Sequence, residues 1–169
     1  MVSPDLAKKY PKLIADGAKE TSPRDSVYNC IAWSAKRDTT IWWQPGGLKG
    51  TYWPKGAPED DYECFIALFE RLGYKKCTGS HFEVFHKKVA IYASLGRYGE
   101  WEFNQVCDQL NSGARTSKLG DDADIQHNSL EALEGDLGQE YGEVRQILKR
   151  RCWAWQILAR SFFKIRRLF

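Results

Sequence analysis

The chain has 169 residues, 43% hydrophobic and 14% aromatic, enough apolar material for one folded domain and too much for a disordered one. Its start, Met1-Val2-Ser3-Pro4-Asp5-Leu6-Ala7-Lys8-Lys9-Tyr10, lacks the apolar run of a signal peptide, and no later stretch approaches the ~20 apolar residues of a membrane span, so a soluble cytoplasmic protein is expected. The net charge of +3 hides an asymmetry: residues 150–169 hold Arg150, Arg151, Arg160, Lys164, Arg166 and Arg167 and no acid, a charge of +6, which leaves the rest at −3.

Residues 1–24 read as an N-terminal arm, helical or irregular, ahead of a main domain over 25–142. Asp25 and Ser26 favour a turn, and in Tyr28-Asn29-Cys30-Ile31-Ala32-Trp33 a good N-cap residue precedes a cysteine and a short apolar run. A helix running to Lys36 is expected. Cys30 then lies in its first turn, where the helix dipole favours a thiolate and the thiol can act as a nucleophile; the plainer reading is a small buried residue.

Residues 42–54 contain Trp42, Trp43, Pro45, Gly46, Gly47, Tyr52, Trp53 and Pro54, a turn-rich stretch that packs over the Cys30 helix or walls an aromatic cleft suited to a peptide or acyl substrate. Apolar residues at Phe65, Leu68, Phe69 and Leu72 mark an amphipathic helix over 59–72, closed by Gly73. Strands come next at 88–93, 101–110 and 114–119, the last two joined by the turn Asn111-Ser112-Gly113, which gives a three-stranded antiparallel meander. Residues 121–142 return to loop and helix.

Val144, Leu148, Trp155, Leu158, Phe162, Ile165 and Phe169 recur at roughly helical spacing, so residues 143–169 read as a long basic amphipathic helix. Arg151, Trp155, Phe162, Lys164 and Arg166 are its candidate partner-binding residues. A protein partner or a second copy of the chain fits this surface best, with a membrane surface or nucleic acid as lesser options.

Five cysteines, Cys30, Cys64, Cys77, Cys107 and Cys152, are an odd, scattered set without a C-x-x-C pair, as in a reduced compartment. Cys64, Cys77, His81 and His86 match no ordinary zinc spacing, and no Gly-rich phosphate cradle succeeds a strand. Neither a metal nor a cofactor is expected.

A cysteine on an early helix with an antiparallel sheet after it is the layout of the papain-like and transglutaminase-like superfamily, in which a histidine on a facing strand acts as base and a polar group on the next strand orients it. The expected fold is therefore α+β and papain-like or transglutaminase-like: a cysteine-bearing helix packed on a small antiparallel sheet, with the long C-terminal helix appended. The order Tyr28-Asn29-Cys30-Ile31-Ala32-Trp33, Trp42-Trp43, Tyr52-Trp53-Pro54, Gly73-Tyr74, Lys88-Val89-Ala90-Ile91-Tyr92-Ala93, Thr116-Ser117-Lys118-Leu119-Gly120, Asp124-Ile125-Gln126-His127 and Leu133-Glu134-Gly135 resembles an uncharacterised bacterial domain family over about residues 25–150. The resemblance implies a histidine, in a histidine-alanine-alanine-arginine context, where this chain has Gln105. A glutamine amide holds a hydrogen bond but takes no proton near neutral pH.

These residues support two functions. One is a non-catalytic or weakly active interaction module that holds a protein partner in its cleft or on its C-terminal helix. The other is a cysteine hydrolase or acyltransferase with Cys30 as nucleophile. Its base would be His127, which is otherwise a structural residue closing the loop after Gly120, and Asp124 would either orient His127 or cap the helix after it.

Overall fold

A computed structural model describes residues 1–45, 50–57, 61–135 and 141–152. Two short helices, α1 (Pro4–Lys9) and α2 (Lys12–Asp16), lead into strand β1 (Lys19–Arg24). Helix α3 (Cys30–Ser34) and helix α4 (Asp61–Arg71) precede the remaining strands: β2 (Lys75–Cys77), β3 (His86–Leu95), β4 (Trp101–Gln109), β5 (Arg115–Lys118), β6 (Ala123–His127) and β7 (Glu143–Arg151). A 3-10 turn at Glu131–Leu133 lies between β6 and β7. The strands form a single antiparallel sheet in the order β1-β6-β5-β4-β3-β7-β2.

The expected meander is its centre, β3-β4-β5, but the sheet is far larger than a small sheet beside a cysteine helix. A mostly antiparallel seven-stranded sheet with short helices replaces the expected papain-like or transglutaminase-like α+β fold. The long C-terminal helix is also corrected, because residues 143–151 are strand β7, paired with β3 and β2. Trp155, Phe162, Lys164 and Arg166 lie outside the described residues, whereas Arg151 is the exposed end of β7.

The pattern in β7 misleads for a physical reason. Ile91 pairs with Gln146 and Tyr92 with Val144, so Arg145 is an extra residue, a β-bulge that reverses the alternation of side chains beyond it. Val144 and Leu148, four residues apart as on one helix face, thereby reach opposite faces of the sheet. A second bulge stands across β3 in β4, where Tyr92 pairs with Gln105 and Ala93 with Phe103, leaving Asn104 over.

Each face of the sheet carries its own core. On one, Ile31 and Ala32 of α3 and Phe65, Leu68 and Phe69 of α4 pack with Val89, Ile91, Val106 and Leu148. On the other, Leu6, Tyr10 and Leu13 from the N-terminal helices pack with Tyr92, Cys107, Ile125 and Leu133. Helix α4 ends as its sequence indicates: Gly73 takes φ 85° and the Tyr74 N–H donates to the Phe69 carbonyl at 3.0 Å, a Schellman closure.

Helix α3 stops at Ser34, short of Lys36, because the same closure is made there by a residue other than glycine. Lys36 adopts φ 64°, with Lys36 N–H to Trp33 O at 3.0 Å and Arg37 N–H to Ala32 O at 2.8 Å. The lysine's left-handed backbone aims its ammonium at Asp108 on β4, where the two form an ion pair. Buried Lys87 meets the same carboxylate at 3.1 Å and donates to the last carbonyl of α3, Ser34 O, at 3.0 Å. Burial alone would push the Asp108 carboxyl up, but the two lysines outweigh it and hold the group below the usual carboxylate range. This pairing fixes the C-terminal end of α3 to the sheet, where a buried carboxylate would otherwise be costly.

Candidate functional site

Asn29 organises the start of α3. Its Oδ1 accepts the Ala32 N–H and the Trp42 N–H, both at 3.2 Å, while its Nδ2 donates to Trp42 O at 2.8 Å. One amide side chain therefore caps the helix and binds the aromatic stretch to it. Tyr28, stacked on Trp33, donates its hydroxyl to both carboxylate oxygens of Asp124, at 3.0 and 2.8 Å. The Tyr28-Asn29-Cys30 motif is thus first of all a structural joint between helix, loop and sheet.

Cys30 is at the start of the helix, yet only 7% of its surface is exposed. Burial pushes its thiol up to about 12, against the opposing pull of the Val106, Ile31 and Cys30 N–H groups and of the Lys118 charge. At neutral pH the sulfur is protonated, since ionising it in a site without bulk water costs more than the dipoles return.

Gln105 fills a split in the sheet. Strands β4 and β5 pair only at Asp108–Thr116 and Gln109–Arg115, and beyond them the Gln105 amide bridges the gap: Nε2 donates to Lys118 O and Oε1 accepts the Val106 N–H, both at 2.9 Å. The structure brings Gln105 and Cys30 against the same Val106 N–H.

His127 and Asp124 are not part of that grouping. Side chains alternate along β6, so His127 shares the face of Ile125, opposite the α3 face to which Cys30 belongs, while Asp124 points to the α3 face and takes the Tyr28 hydroxyl. His127 is buried, with Nε2 2.9 Å from Ser117 Oγ and Nδ1 2.7 Å from Ser129 O. Burial lowers its pKa to about 4, so the ring is neutral at pH 7. The other two histidines, His81 and His86, gather with Glu83, Lys88 and Lys149 at the β2–β7 end of the sheet.

Cys64 Sγ donates to Gln44 Oε1 at 2.9 Å, and Cys77 lies 4.0 Å from Gly79 O. Among the described residues no three His, Cys, Asp or Glu side chains come together as a metal site, and no helix is long and apolar enough to cross a membrane.

A cleft of about 540 Å³ opens elsewhere on the α3 and α4 face, within the usual size of a ligand pocket. Trp43, Tyr62, Phe65, Trp101 and Phe103 wall it, and Gln44, Glu63, Glu100 and Glu102 complete its lining. Phe65 and Phe103 stack at 4.0 Å between centroids, with Trp43 tilted against Phe65 at 5.5 Å and edge-on to Phe103 at 6.1 Å. Arg145, the bulged residue of β7, sets its guanidinium 3.9 Å from the Trp101 ring centroid. Tyr62 is 9% exposed, and its buried hydroxyl has no hydrogen-bond partner among the described residues. Burial first, and then Glu63, push that hydroxyl up to about 12, while Arg145 pulls it down.

The Trp42–Pro54 stretch reads from sequence either as a cover for the Cys30 helix or as a cleft wall, and its Trp43 and Gln44 line this cleft; the opposite wall is missed. The signal is the alternation Glu100-Trp101-Glu102-Phe103, two acids interleaved with two aromatics at a strand start. Without the Asn104 bulge, Trp101 and Phe103 would face the α1 and α2 layer; with it they join the α4 side.

Fold and site together define a helix-covered antiparallel β domain with an aromatic cleft and a largely buried cysteine. The chain belongs to the family described as domain of unknown function (DUF7689), which it matches over residues 19–149, from the start of β1 into β7. No curated protein and no solved structure matches it.

The sealed thiol and the buried histidine are each open to measurement. In native protein at pH 7.5, iodoacetamide should modify Cys77, the one cysteine of the five that is not buried, well before Cys30; time-resolved peptide mapping that finds Cys30 labelled first would contradict the sealed thiol. His127 should make the fold acid-sensitive. Its pKa is depressed from near 6.5 unfolded to about 4 folded, so its contribution is complete above pH 6.5 and is lost as pH falls towards 4, about 3 kcal/mol in all. Urea unfolding of the native chain should therefore lose more stability between pH 6.5 and 4 than His127→Gln does, and parallel curves would refute the assignment.

Proposed function

We propose that this domain is a non-catalytic interaction module that binds a protein partner by seating a segment of it in the Trp43–Trp101–Phe103 cleft. The observation that carries this reading is the open cleft of about 540 Å³ walled by the stacked rings of Phe65 and Phe103 with Trp43 and Trp101. A bound segment covers these rings, and burial of aromatic surface is what supplies most of the affinity at such contacts. The aromatic walls suit a peptide because ring faces bury large area at little conformational cost.

Thiol hydrolysis has little to support it. Cys30 is protonated and sealed, Gln105 beside it accepts no proton, and His127 has both ring nitrogens engaged on the other face of the sheet. A second contact, through residues 143–169, is proposed from their basic and aromatic sequence alone.

Panning a random dodecapeptide display library against the full chain tests the reading. Enriched peptides should bind the native protein, and Trp101→Ala, shown by circular dichroism to be folded, should weaken them about tenfold, the usual scale for losing one aromatic anchor. Failure to enrich any peptide, or equal binding to Trp101→Ala, would refute the cleft as the binding surface. Cleavage of an enriched peptide by the native chain but not by Cys30→Ser, read by mass spectrometry, would refute the non-catalytic assignment.

A further inference from the structure

We infer that the end of the sheet where β3 begins and β7 finishes docks on an anionic lipid bilayer, with an apolar loop entering the headgroup boundary and lysines beside it meeting the phosphates. The loop between β2 and β3 presents Phe82, Val84 and Phe85 to solvent, 42%, 62% and 50% exposed. Three large apolar side chains within four residues make an exposed patch of the kind that marks an interaction surface.

The loop is held in place by its backbone, so the exposure of these side chains is built in. Lys88 Nζ donates to Gly79 O and His81 O, both at 2.7 Å, Gln109 and Arg115 donate to Ser80 O, and the Cys152 N–H donates to Phe85 O at 2.6 Å. Phe85 adopts φ 62°, a left-handed backbone that is rare for a bulky residue and persists only where its surroundings over-determine it.

The charge around the patch is mostly of one sign. Pairing of β3 with β7 and of β7 with β2 sets Lys88, Lys149 and Lys75 in one row across three strands, and two residues further out Arg151 stands opposite His86. Glu83 meets Lys88 at 2.5 Å and Lys149 at 2.8 Å, so this group holds four cations to one carboxylate. From the same end the chain continues into residues 153–169, where nine of seventeen side chains are Trp, Phe, Ile or Leu, four are Lys or Arg and none is acidic.

An anionic bilayer answers both parts of this surface. Its acyl boundary takes the rings and aliphatic chains, its headgroups attract the bases, and it needs none of the shape match that a folded partner requires. A nucleic acid would answer the bases but not Val84, Ile157 and Leu158.

Co-sedimentation of the full chain with vesicles tests this, using phosphatidylcholine alone or with about a third phosphatidylserine. The anionic vesicles should bind about tenfold more tightly than the neutral ones. Phe82→Ser with Val84→Ser, shown by circular dichroism to be folded, should weaken that binding about tenfold or more, and Lys75→Gln should weaken it about fivefold. Absence of binding to either vesicle, equal binding to both, or undiminished binding by the double variant would overturn the inference. Tight binding of poly-uridine RNA by a chain that ignores vesicles would assign the surface to nucleic acid instead. A dimer in sedimentation velocity that the double variant loses, again without vesicle binding, would assign it to a second copy, and either result overturns the lipid assignment.

Discussion

Two β-bulges, set across β3 from one another beside Tyr92, are the constraint on which the rest of the molecule depends. Strand β3 is the spine of the sheet, buried almost throughout, and its own alternation is regular: Val89, Ile91 and Ala93 face α3 and α4, while Ala90 and Tyr92 face the N-terminal helices. Its neighbours each insert one residue at the same level, Asn104 in β4 and Arg145 in β7. Each insertion exchanges the faces of everything beyond it. One carries Trp101 and Phe103 to the α4 side; the other lets Leu148 and Val144 serve opposite cores. Arg145, freed from the ladder, then reaches over to Trp101. The cleft is thus made by register as much as by composition.

The other end of the same face is sealed with similar economy. Asn29 joins α3 to Trp42, Tyr28 joins it to Asp124, and the Lys36–Asp108–Lys87 cluster fastens its C-terminus. Gln105 closes the split between β4 and β5 at the Cys30 thiol. A residue at a helix N-terminus is usually read for its dipole, but here burial dominates and the sulfur behaves as a small core side chain. The sulfur is largely covered, whereas the aromatic cleft is open.

Much of this was legible in the sequence where local signals and tertiary structure agree. Asn29 as an N-cap, Gly73 as a helix stop and the turn at Asn111-Ser112-Gly113 are short-range features whose physics lies in adjacent residues. The central strands were readable from apolar runs. Residues 143–151 were not, because a bulge converts strand alternation into a spacing that mimics a helix, and a bulge in a pairing partner leaves no mark on the strand itself. The role of Cys30 was visible in position but not in environment, since its burial is created by β4 and β5, some 75 or more residues away in sequence.

The claim that paired bulges create the cleft is tested most directly by proton–proton contacts measured by NMR around Trp101. Contacts from the Trp101 ring to the Arg145 side chain, with Phe103 ring contacts to Phe65 and Trp43, are the predicted result. Contacts from Trp101 and Phe103 to Tyr10, Leu13 or Leu133 would place both aromatics on the other face and contradict the account.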